Sequence, residues 1–237
     1  MEILFVRHGE STQNKAINNN EEYDKHNIIL TIKGRKQAQA TGKYIAKVFG
    51  KIDAIYHSPI YRCQETAEII AKNLDFTKEL IPDKLLLEDA EKSDLNKLTT
   101  KEILKLYKKL NKKFDIITKE LNPFDKLKKY TLAEKNIAKK YNYEPNLDEV
   151  FVNYNKFLNQ IKKTKHKRIV VIGHSGTTNT MTKIITGIDI YNGFIFNNKN
   201  ISTSNCSICC VLYDDNKFEL VDFPNNEHLK KVNEKYK

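Results

Sequence analysis

The chain opens on Ile3-Leu4-Phe5-Val6-Arg7-His8-Gly9-Glu10-Ser11, and this stretch decides the expected fold. Its first four residues form a short, continuous apolar run, which is typical of a strand buried on both faces of a parallel sheet. An arginine, a histidine and a glycine follow at once. In open parallel sheets, ligands bind outside the carboxyl ends of the strands. The stretch therefore predicts a buried strand that ends in a ligand site.

The same order, a buried run and then polar residues, recurs twice further along the chain. Residues 52–56 lead into His57-Ser58-Pro59, and residues 168–172 lead into Gly173-His174-Ser175-Gly176. Helices are predicted over 31–48, 61–74 and 177–185, and a closing hairpin over 207–221. Thr31 can cap the first of these helices, whose buried face is expected to hold Ala38, Thr41, Ile45 and Val48. This alternation of strands and helices predicts an α/β fold: a three-layer sandwich with a mostly parallel central sheet flanked by helices.

The middle of the chain has a different composition. Residues 97–141 contain 14 lysines against five acidic residues, so this segment holds +9 of the net charge of +11. It opens with a capping box, Thr99-x-x-Glu102. Apolar side chains follow at helical spacing: Ile103, Leu106, Tyr107, Leu110 and Phe114. We expect one domain over residues 1–237, with a lysine-rich helical insertion at about 92–146.

The basic charge suggests an anionic partner without identifying it. Of the 41 basic residues, 37 are lysines and four are arginines, and the lysines are spread through the whole chain. A run of lysines is usually the solvated face of a helix, and no interleaved aromatic motif typical of RNA binding accompanies it. Nucleic acid is therefore not the partner that the sequence predicts.

The cysteines indicate the compartment. Four are present, Cys63, Cys206, Cys209 and Cys210, and the chain shows neither a signal peptide nor an apolar run long enough to cross a bilayer. We expect free thiols, a cytoplasmic location and no membrane contact. The Cys206-x-x-Cys209-Cys210 cluster could be half of a zinc site, but no second pair at metal spacing follows it. Buried strand residues and no metal are the expectation.

Four residues from three strand ends are expected to meet: Arg7, His8, Arg62 and His174. Two guanidinium groups can grip the oxygens of a phosphoryl group, which lysines do less well. Fixed positive charges lower the pKa of a neighbouring histidine, so its imidazole stays neutral and nucleophilic. In-line attack by that nitrogen would give a phosphohistidine, while the second histidine stabilises the transferred oxygens.

The motifs resemble those of the histidine phosphatase superfamily, the phosphoglycerate-mutase-like proteins of branch 1. The matching stretches are Phe5 to Ser11 with Asn14, Leu30-Thr31-x-x-Gly34-x-x-Gln37-Ala38, Ser58-Pro59-x-x-Arg62-x-x-x-Thr66-Ala67, Val171-x-Gly173-His174-Ser175-Gly176, Asn205-x-Ser207 and Glu227-His228-Leu229. The resemblance implies that His8 is phosphorylated and that Arg7, Arg62 and His174 form the phosphate pocket, which Asn14 lines. It also implies a carboxylic acid that protonates the leaving group. Glu88 is the first choice for that acid, with Asp89 and Glu91 as alternatives.

The leading functional hypothesis is a phosphohydrolase that removes phosphate from a small phosphorylated metabolite through a phosphohistidine, without a cofactor. A cofactor-dependent phosphoglycerate mutase is one alternative, although the chain has no Trp and no arginine between Arg62 and Arg168. A catalytically weak module that binds a phosphorylated ligand or a partner is the other. The oligomeric state is left open, with a homodimer as one option. Asn18-Asn19-Asn20 is expected to be a flexible loop beside the site.

Overall fold

A central sheet organises the chain. The computed structural model describes residues 1–87, 99, 101–102, 147–187, 195–196, 199–200 and 203–236. Within these residues the strands are β1 (Glu2–Arg7), β2 (Ala54–His57), β3 (Ile81–Pro82), β4 (Arg168–Gly173), β5 (Ile195–Phe196), β6 (Lys199–Asn200), β7 (Ile208–Asp214) and β8 (Lys217–Asn225). Six of them form one sheet in the order β3-β2-β4-β1-β7-β8, and β5 pairs with β6 separately.

The strand directions agree with the predicted fold class. Strands β1 and β2 both run parallel to β4, with Leu4 and Ile55 each opposite Val170, and β3 is parallel to β2. Within the six-stranded sheet of the described residues, only β7 and β8 are antiparallel, and β7 pairs with β1 so that Cys210 lies opposite Leu4. The sheet is therefore parallel where the three predicted strand ends lie, and an antiparallel hairpin extends it at one edge.

Helices cover both faces of the sheet. They are α1 (Thr12–Asn19), α2 (Ile32–Val48), α3 (Tyr61–Asn73), α4 (Leu147–Ile161), α5 (Ser175–Thr186) and α6 (Lys230–Lys235), with 3₁₀ turns at Lys84–Leu86 and Glu227–Leu229. Leu4 and Val6 pack with buried residues of α2 and α3, whereas Ile3 and Phe5 pack with α4 and α5. Because both faces are covered, the continuous apolar run of β1 is fully buried, and the three-layer prediction is confirmed.

Helix α2 begins where the sequence predicts. The Thr31 hydroxyl accepts a hydrogen bond from the Gly34 amide at 3.0 Å, which makes Thr31 the N-cap. The predicted inward face is buried at Ala38, Thr41 and Ile45. The prediction is wrong at Val48, which is 53% exposed because it is the last residue of the helix, where the chain turns away through Gly50 at φ +71°.

The predicted loop at residues 18–20 is also wrong. Asn18 and Asn19 complete α1, and Asn20 ends the helix in the left-handed conformation at φ 58°. A capping box starts this helix: the Ser11 hydroxyl accepts from the Asn14 amide, and Asn14 Oδ1 accepts from the Ser11 amide, both at 3.2 Å. This cap stabilises the helix, which includes Asn18 and Asn19 although asparagine has a low helix propensity.

The hairpin and the cysteines follow the predictions with one exception. Asp215 and Asn216 have φ of 43° and 63°, the pattern of a two-residue hairpin turn, so the predicted β7–β8 hairpin is confirmed. All four cysteines are free and buried. Cys209 and Cys210 lie in β7, but Cys206 precedes the strand in a turn at φ 56°, so its assignment to a strand was wrong.

The lysine-rich insertion lies almost entirely outside the described residues, as does the amphipathic face predicted from Ile103 onwards. Its predicted capping box is present, since the Glu102 carboxylate accepts from the Thr99 amide and hydroxyl at 2.8 Å each. Among the helices in the described ranges, none combines the length and apolar character that crossing a membrane requires.

Replacing Gly34 by alanine is expected to destabilise the protein by about 3 kcal/mol. A β-carbon at Gly34 would stand 2.0 Å from the carbonyl oxygen of Glu10, so the His8 loop and the start of α2 would have to separate. Chemical denaturation measures the free energy of unfolding. Gly50→Ala is the matched control: its β-carbon enters open space, and only the positive φ costs about 1 kcal/mol. Equal losses in the two variants would contradict this packing argument.

His228 is expected to lower the free energy of unfolding in mild acid. It lies against α2, where its Nε2 is 2.9 Å from the Thr41 hydroxyl and its ring stacks on Tyr44. Burial lowers the pKa of His228 to about 4, whereas the unfolded chain takes up this proton near pH 6.5. Between these values the unfolded state binds more protons, so the free energy of unfolding falls as the pH is lowered. His228→Gln should flatten this fall by about 1 kcal/mol, allowing for its partial exposure.

Candidate active site

The three predicted strand ends meet because β2, β4 and β1 are neighbours in the sheet. Just beyond the strands, the His8 amide donates to the Gly173 carbonyl, and the Ser58 amide donates to the Ile172 carbonyl, both at 2.9 Å. These bonds continue the parallel pairing past the ends of the strands. The loops that carry His8, Ser58 and His174 are thus held side by side at one edge of the sheet.

Arg62 lies between the two histidine rings. It is the second residue of α3, which starts from the end of β2. Its Nε donates to His8 Nε2 at 3.1 Å, and one terminal guanidinium nitrogen lies 3.1 Å from His174 Nδ1. The two ring centroids are 5.5 Å apart, and the rings meet edge to face. One guanidinium group therefore contacts both histidines on their facing sides.

The tautomer of His8 follows from its partners. His8 Nδ1 lies 2.8 Å from the carbonyl oxygen of Gly9, which can only accept, so Nδ1 carries the proton. Nε2 then holds a lone pair, which accepts the Arg62 hydrogen bond. His8 is 3% exposed, so this lone pair is shielded from bulk water. The geometry leaves Nε2 as the nucleophilic nitrogen.

The tautomer of His174 is the opposite one. A guanidinium group has no acceptor, so Nδ1 must hold the lone pair and Nε2 the proton. His174 Nε2 lies 3.0 Å from the Ser58 hydroxyl oxygen, which accepts that proton. Both His174 and Ser58 are completely buried. The Arg62 contact therefore fixes the tautomer of His174, and the Ser58 hydroxyl serves as the acceptor for its Nε2 proton.

The environment of His8 favours the neutral ring. Burial, followed by electrostatic interaction with His174, Arg62 and Arg7, lowers the pKa of His8 well below 6.5, while its hydrogen bond to Gly9 opposes the shift. A neutral imidazole is the form that can attack phosphorus. The pocket thus combines anion-binding cations with a nucleophile that they keep unprotonated.

Residues 203–207, which precede β7, contact the end of β1 on the side away from β4. Arg7 donates to the Thr203 carbonyl at 2.6 Å, and the Cys206 amide donates to the Arg7 carbonyl at 3.0 Å. The Asn205 amide group donates to the His8 carbonyl at 3.1 Å and to Asn14 Oδ1 at 2.9 Å. Asn14 therefore reaches the site through Asn205 as well as capping α1.

Thr66 connects the nucleophile loop to α3. Its hydroxyl accepts from the Gly9 amide at 3.1 Å and donates to the Arg62 carbonyl at 2.7 Å. Thr66 is fully buried. The four-residue spacing of Arg62 and Thr66 thus places the cation and the loop anchor on one helix, which fixes Arg62 relative to His8.

The model of the histidine phosphatase superfamily (branch 1) matches residues 3–226. The chain belongs to this superfamily. The match covers nearly the whole chain, including all the strand ends described above, so the family resemblance predicted from the motifs is confirmed.

Solved superfamily structures share the fold. A putative α-ribazole-5′-phosphate phosphatase from Escherichia coli aligns with a TM-score of 0.66 and 17% identity, covering 95% of this chain and 98% of that one. A phosphoglycerate mutase from Bacillus anthracis aligns with a TM-score of 0.67 and 15% identity, covering 98% and 96% of the two chains. These likenesses extend over whole chains at low identity, and they show the fold.

Sequence relatives match over a shorter region. The serine/threonine-protein phosphatase Pgam5, mitochondrial, of Drosophila erecta is 40% identical over 79 residues, which are 33% of this chain and 25% of that protein. The Drosophila melanogaster protein matches to the same extent. The matched region is thus about a quarter of the length of these curated relatives.

The superfamily pocket gathers most of the residues predicted from sequence. Arg7, His8, Arg62 and His174 meet at one edge of the sheet, and Asn14 lies one hydrogen bond away. The predicted proton donor Glu88 lies outside the described residues, as do its alternatives Asp89 and Glu91.

Sequence reasoning did not assign roles to three residues that hold this superfamily pocket together: Ser58, Thr203 and Asn205. A signal existed for Ser58, because a hydroxyl directly after a buried strand stands at the ligand-binding edge of the sheet. The Asn205-x-Ser207 motif was visible too, but its hydrogen bonds to His8 and Asn14 join residues more than 190 positions apart in the chain.

If His8 attacks phosphorus, that step is expected to persist into mild acid. Because the pKa of His8 is lowered, its Nε2 stays unprotonated as the pH falls through 6.5, and the acid limb should lie below that value. Single-turnover release of p-nitrophenol from p-nitrophenyl phosphate, followed from pH 8 down to the limit of folding, measures this step. An acid limb centred at about 6.5, the ordinary histidine value, would contradict the lowered pKa.

Proposed function

We propose that this protein is a phosphohydrolase that removes phosphate from a small phosphorylated metabolite through a phosphohistidine on His8. The observation that supports it most is the pairing of the His8 Nε2 lone pair with the Arg62 guanidinium group. A nucleophile and an anion-binding cation face the same space, so a phosphoryl group held by Arg62 lies against Nε2. Family membership supports the same conclusion.

In the first half of the proposed reaction, Arg7 and Arg62 hold the phosphoryl oxygens. Nε2 of His8 attacks phosphorus in line, so that a P–N bond forms while the P–O bond to the leaving group breaks. Its Nδ1–H keeps donating to the Gly9 carbonyl, which orients the ring. Charge on the equatorial oxygens is stabilised by the two arginines, and by His174 when its Nδ1 carries a proton.

The leaving alkoxide needs a proton, and Glu88 is the proposed donor. A carboxyl group near a phosphate dianion has a raised pKa, which keeps the proton available. In the second half, water attacks the phosphohistidine, the carboxylate takes the proton of that water, and the P–N bond breaks. Inorganic phosphate leaves, and His8 is neutral again.

A cytoplasmic setting belongs to the same proposal. Free, buried cysteines support a reducing compartment, while the matched Drosophila relatives are named mitochondrial. The proposed partner is the small phosphorylated substrate itself, and no nucleic acid or membrane takes part. A homodimer stays an open option for the assembly.

The test is a phosphate-release assay joined to a trapping experiment. The panel includes p-nitrophenyl phosphate, phosphorylated sugars and sugar acids, phosphoserine, and a phosphoserine peptide, since the matched relatives are named protein phosphatases. Enzyme mixed with labelled substrate is quenched in alkali, where a phosphohistidine survives, and is then exposed to acid, where it is lost.

The expected result is phosphate release together with acid-labile label on His8. Transfer of the label to 3-phosphoglycerate faster than to water would indicate a mutase instead. Absence of both label and release across the panel would overturn catalysis and leave a module that only binds a phosphorylated ligand.

A further inference from the structure

The Tyr154 hydroxyl lies between two segments of the chain that border the pocket. Tyr154 belongs to α4 and is almost completely buried. Its oxygen lies 3.3 Å from the Leu87 carbonyl oxygen and 3.1 Å from the Thr177 hydroxyl oxygen. Leu87 directly precedes Glu88 in the sequence, and Thr177 lies in the first turn of α5, whose N-cap is His174. One hydroxyl group therefore contacts both the segment that leads to the proposed proton donor and the helix that begins at His174.

Thr177 is packed against the backbone of the loop that carries His174. Its hydroxyl accepts a hydrogen bond from the His174 amide at 3.1 Å, and the side chain is buried. A β-carbon at Gly173 would stand 2.8 Å from Thr177 Cγ2, which shows how closely this side chain and the loop approach each other. A contact with Thr177 is therefore a contact with the frame of the phosphate pocket.

The Tyr154 hydroxyl can bind both of its partners at once. A carbonyl oxygen only accepts, so the hydrogen bond with Leu87 requires that Tyr154 donates. The Thr177 hydroxyl accepts from the His174 amide and can still donate its own hydrogen to the Tyr154 oxygen. If Tyr154 instead donated to Thr177 alone, its oxygen and the Leu87 carbonyl oxygen would be two acceptors facing each other. The link to Leu87 therefore fixes where the Tyr154 hydrogen points.

Helix α4 holds the segment that ends at Leu87 at both of its ends. Leu86 is completely buried in the same apolar cluster as Tyr154. The Asp83 carboxylate accepts from the Gln160 side-chain amide at 3.0 Å. Gln160 lies about 9 Å further along the helix axis than Tyr154. Because a peptide unit is planar, fixing the Leu87 carbonyl also orients the bond by which the chain leaves this segment.

We propose that Tyr154 is a positioning residue for proton transfer to the leaving group: its hydroxyl holds the Leu87 carbonyl, and with it the start of the acidic stretch at residues 88–91, in register with the His174 loop. This inference rests on the proposed function, in which a carboxyl group of that stretch protonates the leaving oxygen. In that step the O–H bond of the acid and the P–O bond break while the leaving oxygen takes the proton. Tyr154 itself exchanges no proton. Loss of its hydroxyl therefore slows the reaction most where the leaving group needs a proton most.

Two aryl phosphates test this proposal in single turnovers. The p-nitrophenolate ion is weakly basic and departs without a proton, whereas phenolate is much more basic and needs one. Enzyme in excess over ester isolates cleavage of the P–O bond from hydrolysis of the phosphohistidine. Tyr154→Phe should lower the rate constant for phenyl phosphate about tenfold and leave that for p-nitrophenyl phosphate within about twofold of the wild type. The His174 ring keeps its own contacts in this variant, which are with Arg62, Ser58 and Cys63.

Tyr56→Phe is the matched control, because it also removes the hydroxyl of a buried tyrosine beside α4. The Tyr56 ring packs edge to face on Phe157 of that helix, with ring centroids 5.5 Å apart. The ratio of its two rate constants should stay within about twofold of the wild-type ratio. Each variant is assayed at a temperature at which its circular dichroism spectrum is that of the folded protein, so that lost folding is not counted as lost chemistry.

Variants of the acidic stretch test the proposal without relying on Tyr154→Phe alone. Of Glu88→Gln, Asp89→Asn and Glu91→Gln, one should slow phenyl phosphate selectively. Adding Tyr154→Phe to that variant should lower the rate by less than about twofold more, because the group that Tyr154 positions is gone.

Four results would overturn the inference while release of both phenols by the wild type leaves the proposed phosphohydrolase standing. They are an equal loss on both esters in Tyr154→Phe, an unchanged ratio there, the same change of ratio in Tyr56→Phe, and a further tenfold loss when Tyr154→Phe is added to the acid variant. A selective loss in none of the acid variants would also overturn it. Absence of release from either ester by the wild type would overturn both the inference and the proposed function.

Discussion

Replacing His8 by asparagine is expected to lower kcat by at least about 10⁴-fold and to abolish the phosphorylated enzyme. Asparagine offers an amide that can still donate to the Gly9 carbonyl, so the loop keeps its anchor, but it has no nucleophilic nitrogen in place of Nε2. The loss therefore falls on the chemical step and not on binding. Phosphate release and acid-labile label, measured side by side, report it.

The binding part of the pocket should survive this change. Arg7, Arg62 and His174 remain, so the affinity of His8→Asn for tungstate should stay within about tenfold of the wild type. Its thermal midpoint should also be similar, which separates lost chemistry from lost folding. Residual label on the variant at the wild-type level would show that another group is phosphorylated and would remove His8 from the mechanism.

Replacing Arg62 by lysine is expected to lower kcat/KM by about 10³-fold although the charge is kept. The planar guanidinium group contacts both rings from one position, through Nε to His8 and through a terminal nitrogen to His174. An ammonium group is a point charge and cannot make both contacts together with bidentate bonds to a phosphoryl group. Steady-state kinetics on p-nitrophenyl phosphate measure the loss.

Arg168→Lys is the control for this substitution. Arg168 is the first residue of β4 and contacts Glu2, whereas His174 follows the last residue of the same strand, so the two lie at opposite ends of the sheet. We expect kcat/KM of Arg168→Lys to stay within about twofold of the wild type, with any effect confined to stability. If both variants lose activity equally, the loss in Arg62→Lys is a general effect of replacing an arginine by lysine and says nothing specific about the pocket.

The fold was predictable where hydrophobic pattern and strand order act together. The apolar runs before His8, Ser58 and His174 are long enough to mark buried strands, and parallel strands place their carboxyl ends at one edge. Details that depend on local competition were not predictable. The capping box at Ser11 extends α1 through Asn18 and Asn19, and the end of α2 leaves Val48 in solvent.

The sequence predicts which residues form the site, but it does not predict which ring nitrogens carry protons. Motifs identify His8, Arg62 and His174, yet the proton on each ring depends on which neighbour can only donate and which can only accept. Those neighbours are the Gly9 carbonyl, which can only accept, and the Arg62 guanidinium group, which can only donate. Their distances arise from the packing of three loops, and no spacing along the chain encodes them.

The position of β1 in the middle of the sheet has a consequence for how the protein is made. Its neighbours are β4 and β7, which pair Glu2 with Arg168 and with Leu212. During synthesis, the strand that leads to His8 therefore has no partner in the sheet until β4 and β7 have emerged from the ribosome. Contacts so distant in sequence form slowly and leave apolar strand edges exposed meanwhile. Chains that stop before β4 should engage chaperones and release no phosphate in the proposed assay, because β1 then has neither of its neighbours in the sheet.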